Sequence, residues 1–202
     1  IDAEDLTDTD AFYLDMQERM WYDLLEDVTA MLKEQEVEKM LQIMLSVRPY
    51  FPEYQFVIAG APSLPKSFYQ KFVDENVHFV SNKTYDLLRS SKAALVTSGT
   101  ATLETALLNI PEVVCYRSSK ISYEIGKRVV KNIKYISLVN LIMDEEIVTE
   151  LIQNELNTNN LVKELTKILE GENRTKMLKN YEALREKLGG KGASDHAAEI
   201  IV

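Results

Sequence analysis

Lys92-Ala93-Ala94-Leu95-Val96-Thr97 runs directly into Ser98-Gly99-Thr100-Ala101-Thr102-Leu103-Glu104. The first half is a short apolar stretch without alternation, which predicts a strand buried on both faces. The second half predicts a tight turn that opens a helix. Ser98 and Thr100 are suited to cap that helix, and Gly99 lets the backbone turn sharply. Thr102 and Glu104 fall in its first turns. A helix start presents unpaired N–H groups and partial positive charge, which suit a phosphate or diphosphate. The hydroxyls add donors, and a carboxylate one turn in can accept from sugar hydroxyls. By chemistry alone, the same residues also make an ordinary helix cap.

The flanking sequence repeats this unit. Gln55–Gly60, Val77–Val80, Ala93–Thr97 and Pro111–Tyr116 read as strands. Pro65–Asn76, Thr84–Ser91, Thr100–Asn109 and Ser122–Val130 read as helices between them, and Tyr135–Leu138 as extended. Strand and helix in alternation predict an α/β fold with a doubly wound parallel sheet. The last third reads as helical over Glu145–Asn154, Asn160–Glu170, Asn173–Leu188 and Ser194–Val202. Leu41–Tyr50 is helix-like and ends at Arg48-Pro49.

The first 40 residues differ from the rest. They carry 13 acidic and 3 basic residues, whereas residues 41–202 are balanced at a net charge of +1. From about Asp10 to Met44 there is no Gly or Pro, and Phe12, Met16, Met20, Leu24, Val28, Met31 and Leu32 recur at helical spacing. Two regions follow: an acidic helical leader over 1–40, and an α/β domain with C-terminal helices over 41–202. The chain opens on Ile1, which points to a start further upstream.

Several classes of function lose support. The single cysteine, Cys115, allows no intramolecular disulfide and fits a buried strand position. No apolar run approaches the roughly 18 residues of a membrane span. No basic stripe with interleaved aromatics marks a nucleic-acid surface. His78 and His196 have no carboxylate or Cys at metal-ligand spacing, so neither a metal nor another cofactor is expected. There is no GxxxxGK[ST] loop, GxSxG elbow or complete GxGxxG fingerprint. Gly189-Gly190-Lys191-Gly192 follows a helix and reads as a hinge or stop.

Ligands of open parallel sheets bind beyond the carboxyl ends of the strands. Four segments reach that edge: Gly60-Ala61-Pro62-Ser63, Ser81-Asn82-Lys83, Thr97–Thr102 and Tyr116-Arg117-Ser118-Ser119. Arg117 fits a phosphate contact or a solvated surface. Asn140 fits a hydrogen bond to a ligand or the end of a turn.

SGTATLETALLNIPEVVCYR (Ser98–Arg117) followed by KYISLVNLI (Lys134–Ile142) resembles the carboxyl-terminal domain of the lipid-A-disaccharide synthases. The resemblance covers roughly residues 41–202, and residues 1–40 do not share it. It implies half of a GT-B-type glycosyltransferase, in which two doubly wound domains face each other. Such enzymes transfer 2,3-diacylglucosamine from UDP to 2,3-diacylglucosamine 1-phosphate, without a metal. By that likeness Ser98, Gly99 and Thr100 face the diphosphate, with Ala101 and Thr102 completing the binding segment. Glu104 lies toward the ribose and Asn140 near the phosphates. The general base is expected in a preceding domain. The likeness also implies work at the cytoplasmic face of the inner membrane of a Gram-negative bacterium, by peripheral contact, and the amphipathic tail suits a homodimer.

The family's domain begins with a strand and a Gly-Ser-Arg turn whose Arg neutralises the diphosphate. No Gly-Ser-Arg occurs in this sequence, and the acidic helix stands where that strand would be. A parallel sheet lacking it is expected to carry a gap, and the chain to repack, dimerise or use its leader as cover. Two other functions fit the same residues. One is a non-catalytic interaction protein working through the Met-, Trp- and Tyr-rich leader. The other is a different UDP-sugar enzyme, such as a 2-epimerase.

Overall fold

Glu112-Val113-Val114-Cys115-Tyr116 forms a strand whose first four residues are fully enclosed. Every side chain of that stretch meets protein on its own face of the sheet, as the unalternating apolar sequence requires. The computed structural model describes residues 33–61, 63–97, 99–117 and 134–189. The chain divides into two compact units, Ile1–Lys39 and Met40–Val202. Of the first unit, residues 33–39 are described, and they are helical.

Helical backbone (α1) covers residues 33–45, and a 3-10 turn follows at Arg48–Tyr50, where Pro49 disrupts a regular helix. The α/β succession is then β1 (Phe56–Ala59), α2 (Lys66–Gln70), β2 (Val77–Val80), α3 (Thr84–Ser90), β3 (Ala94–Thr97), α4 (Thr100–Leu107) and β4 (Glu112–Tyr116). After it come α5 (Leu138–Met143), β5 (Thr149–Ile152), α6 (Thr158–Leu169) and α7 (Gly171–Lys187). All of these strand pairs are parallel: β1 with β2, β3 with β4, and β4 with β5. Helical crossovers between parallel strands place helices on the sheet faces.

Among the described residues the strands form two sheets, β1-β2 and β3-β4-β5. β4, flanked on both sides, is buried, while the other four strands each bury one residue of four: Ile58, Val77, Val96 and Leu151.

The first sheet is held by an aromatic knot. Tyr69 of α2 stacks on Phe79 of β2 with ring centroids 5.0 Å apart. The Tyr69 hydroxyl accepts a 2.9 Å hydrogen bond from the Ala61 backbone N–H. Gly60 lies against both rings: a Cβ there would stand 2.6 Å from Phe79 and 3.0 Å from Tyr69. Gly60→Ala is therefore expected to lower stability by about 1–3 kcal/mol through overpacking. Urea denaturation reads that shift, and an unchanged midpoint would show that the rings yield freely.

The second sheet is backed by α6 and α7. Leu161, Leu165 and Ile168 of α6 fall at i, i+4 and i+7 and are buried. Asn157 caps that helix, accepting from the Asn160 N–H at 3.0 Å. From α7, Arg174 donates to the Lys92 carbonyl at 2.8 Å and Arg185 to Asn109 Oδ1 at 2.8 Å.

Three expectations need correction. The segment read as extended at Tyr135–Leu138 instead enters α5, because Ser137 caps a helix by accepting from the Asn140 N–H. The helix expected over Glu145–Asn154 is β5, because Thr149-Glu150-Leu151-Ile152 gains a parallel partner in β4 and buries Leu151. Tertiary pairing outweighs the helix-favouring acidic start at Asp144-Glu145-Glu146. The helix expected over Pro65–Asn76 ends at Gln70, and Asp74 then pairs back with Val77. The helices expected at Ser122–Val130 and Ser194–Val202, and most of the acidic leader, lie outside the described residues.

Candidate functional site

The turn between β3 and α4 is built around Gly99. Its backbone sits at φ 123°, ψ −158°, a region open only to glycine, and it occupies the N-cap of α4. This corrects the expected cap at Thr100, which is instead the first residue inside the helix. Ser98 lies outside the described residues.

Two threonines hold the turn from behind. Thr102, fully buried, donates its hydroxyl to the Gly99 carbonyl at 2.8 Å. Thr105, one turn on, donates to the Ala101 carbonyl at 2.7 Å. The buried hydroxyls thus engage carbonyls, while Thr100 is exposed and Ala101 partly so. The first N–H groups of a helix have no intrahelical acceptor. The Thr102 N–H turns back to the Gly99 carbonyl at 3.3 Å, and Gly99 as cap brings no side-chain acceptor to the N–H groups of Thr100 and Ala101. Of the two described hydroxyls in this segment, that of Thr100 lies on an exposed residue and that of Thr102 is committed to the fold.

Glu104 lies in the second turn of α4 and is half-buried. The Glu104 carboxylate beside it holds the phenol of Tyr85, which the sequence reading did not single out, above its ordinary pKa.

Asn140 is placed quite differently from a ligand contact. It is fully buried in α5. Its Nδ2 donates to the Val148 carbonyl at 2.8 Å and to Glu150 at 2.9 Å. Its Oδ1 accepts from the Ile147 and Val148 N–H groups at 2.8 and 3.0 Å. A carboxamide has two donor hydrogens and two acceptor lone pairs, and all four are used. Glu150 of β5 is the hub of the same network, accepting from the N–H groups of Ile136 and Ser137 at 2.8 and 2.9 Å and from the Ser137 hydroxyl at 2.7 Å. The Ser137-x-x-Asn140 spacing carries the cap signal that locates this knot. Since α5 packs against α4, Asn140 supports the turn through the helix pair.

Arg117 follows β4 and is half-buried. Cys115 is enclosed, and burial pushes its thiol far above the usual range, so it is an inert core residue. Among the described residues no group of His, Cys, Asp and Glu could hold a metal ion. A cavity of about 410 Å³ is lined by Leu45, Arg48, Phe51, Tyr54, Phe56 and Asn76 at the opposite, amino ends of β1 and β2. Its Arg48 is paired with Asp74 at 2.9 Å.

The family model for lipid-A-disaccharide synthetase matches residues 22–201, which carries the likeness ahead of residue 41. The chain is 34% identical to the lipid-A-disaccharide synthase of Syntrophus aciditrophicus over 195 residues, covering 90% of this chain and 51% of the relative. The synthase of a Sulfurihydrogenibium species is 32% identical, covering 84% of this chain and 48% of the relative. That of Gloeothece citriformis is 32% identical, covering 84% and 47%. The chain spans about half the length of the curated relatives it matches.

Proposed function

Because the chain belongs to the lipid-A-disaccharide synthetase family, we propose that it forms the UDP-sugar-binding half of a GT-B-type glycosyltransferase. The whole protein would transfer 2,3-diacylglucosamine from UDP to 2,3-diacylglucosamine 1-phosphate, making the lipid A disaccharide. The observation that carries this reading is the glycine-capped start of α4: Gly99 at a glycine-only conformation, with Thr102 and Thr105 drawing the carbonyls inward. The turn thereby offers donors to a diphosphate. Ser98, Gly99, Thr100 and Ala101 supply that surface, Thr102 fixes its shape, and Glu104 accepts from the ribose hydroxyls. Asn140 takes the role of a brace beneath α4. The acidic leader over 1–40 and the α/β domain over 41–202 act as separate regions. The reading also carries peripheral contact with the inner membrane of a Gram-negative bacterium, on its cytoplasmic side, and a homodimer. Among the described residues no helix is long and apolar enough to cross a membrane.

Binding of UDP is expected to be weak, because the sequence has no Gly-Ser-Arg turn to neutralise the diphosphate. Calorimetry and thermal shift with millimolar UDP test the reading. Thr100→Val and Glu104→Ala should each weaken binding by about 1–3 kcal/mol through loss of a hydrogen bond to a charged group. No heat and no stabilisation would remove the donor site. Unchanged affinity in both variants would place the ligand elsewhere.

A further inference from the structure

Gln153 follows β5 directly and sits at φ 53°, in the left-handed region. Among the described residues the other non-glycine residues there are Asn82, Asn109 and Asp144. Asn and Asp tolerate that backbone, because their short polar side chains bond locally. Asn109 lies just past the cap of α4 and Asp144 caps α5, and left-handed residues commonly close helices. Gln153 differs on both counts: its side chain is long, and it ends a strand. Glycine would take the same backbone without the steric cost. Strain of this kind concentrates where a protein binds or reacts.

The strand register places Gln153 on the same edge as the candidate site. Thr97 of β3 pairs with Cys115 of β4, and Tyr116 of β4 pairs with Ile152 of β5. The Gly99 turn, Arg117 and Gln153 therefore leave the carboxyl ends of three adjacent parallel strands, where ligands of such sheets bind. Neighbouring strands lie about 4.8 Å apart, so the first and third ends stand roughly 10 Å apart. A diphosphate with a pyranose ring attached spans that distance. Gln153 is half-buried. Its carboxamide is uncharged and offers two donors and two acceptors, which suits the adjacent hydroxyls of a sugar. Phosphate oxygens are better served by N–H groups and cations, and the ribose is already matched by Glu104 in the proposed site.

We propose that Gln153 is a specificity-determining residue: its carboxamide hydrogen-bonds the hydroxyls of a hexose carried by a nucleoside diphosphate whose phosphates lie on the Gly99–Thr100 turn. This deepens the donor-site reading and rests on it. The ligand class it selects is a nucleoside-diphosphate hexose over the bare nucleoside diphosphate. The left-handed backbone is kept because it turns the chain at the end of β5 and holds residue 153 at the sheet edge, where a side chain is needed and glycine would supply none.

Calorimetric titration of the 202-residue chain with UDP and with UDP-N-acetylglucosamine, a soluble hexose-bearing probe, tests the inference in wild type, Gln153→Gly and Gln153→Met. Wild type should bind the hexose-bearing probe more tightly than UDP. Both variants should lose roughly fivefold for that probe, the scale of one net hydrogen bond, and leave UDP affinity unchanged. Glycine also relieves the backbone, so the urea midpoint of Gln153→Gly should hold or rise while sugar recognition falls. Methionine matches the length of glutamine and keeps its backbone cost, which separates the lost carboxamide from the relaxed turn. If wild type binds UDP without preferring the hexose, or both variants keep that preference, the inference falls alone. An equal loss for both ligands would mark a structural role and also overturn it. If wild type binds neither ligand, the donor-site reading falls and takes the inference with it.

Discussion

Glu112→Met is expected to raise stability by about 3 kcal/mol at pH 7, and wild type to lose the same amount as pH climbs from the carboxyl's unfolded value toward neutrality. Glu112 is fully enclosed at the start of β4, and neither carboxylate oxygen has a hydrogen-bond partner. Desolvation pushes its pKa from 4.5 up to about 9. Between those values the folded chain holds a proton that the unfolded chain has released. Stability therefore falls by about 1.4 kcal/mol per pH unit from pH 4.5 up to 9, and levels off above. Full stability from this group is present only below pH 4.5. Methionine fills similar space, carries no proton and removes the slope. Urea denaturation at pH 5, 7 and 9 should show a falling midpoint in wild type and a much flatter one in the variant. An equal pH dependence in both would mean that Glu112 reaches solvent or an unassigned cation.

The second large effect is a loss. Asn140→Leu should destabilise the protein by roughly 4 kcal/mol or more, since three buried hydrogen bonds and one part-buried bond vanish and the backbone partners stay buried. The Ile147 and Val148 N–H groups, the Val148 carbonyl and Glu150 would each lack a bond they now have. Chemical denaturation reads this directly. A variant as stable as wild type would show that water replaces the carboxamide, and would free Asn140 for a role at the ligand.

Most of the α/β succession is legible in the sequence because its strands are short, apolar and stopped by recognisable turns. Gln55–Gly60, Val77–Val80, Ala93–Thr97 and Pro111–Tyr116 each contain the observed strand. β5 is not legible. Thr149–Ile152 follows three acidic residues that suit a helix start, and only its partner β4 decides the matter. At the site, the Gly99 turn is visible from composition, but which threonine faces outward is not. Thr100 and Thr102 are two residues apart on a helix and therefore on different faces, and sequence alone does not say which face is buried. Tyr85 of α3 lies beside Glu104 of α4, a proximity that their spacing in the sequence does not reveal. Asn140 and Glu150 are ten residues apart and meet because α5 folds back onto β5.

The division of the described strands into two sheets bears on cooperativity as well as geometry. A ladder of backbone hydrogen bonds passes order from strand to strand, and the described strands form two ladders of unequal length. Among the described residues β4 is paired on both sides, whereas β1 and β2 pair with each other. A two-stranded ladder is marginal in water and depends on what packs against it. The β1–β2 block is therefore expected to open at lower free energy than β3–β5, as a sub-global unit with its own threshold. Its integrity is delegated to a few rings, Tyr69 and Phe79 above all, closing over Gly60, where a side chain would not fit.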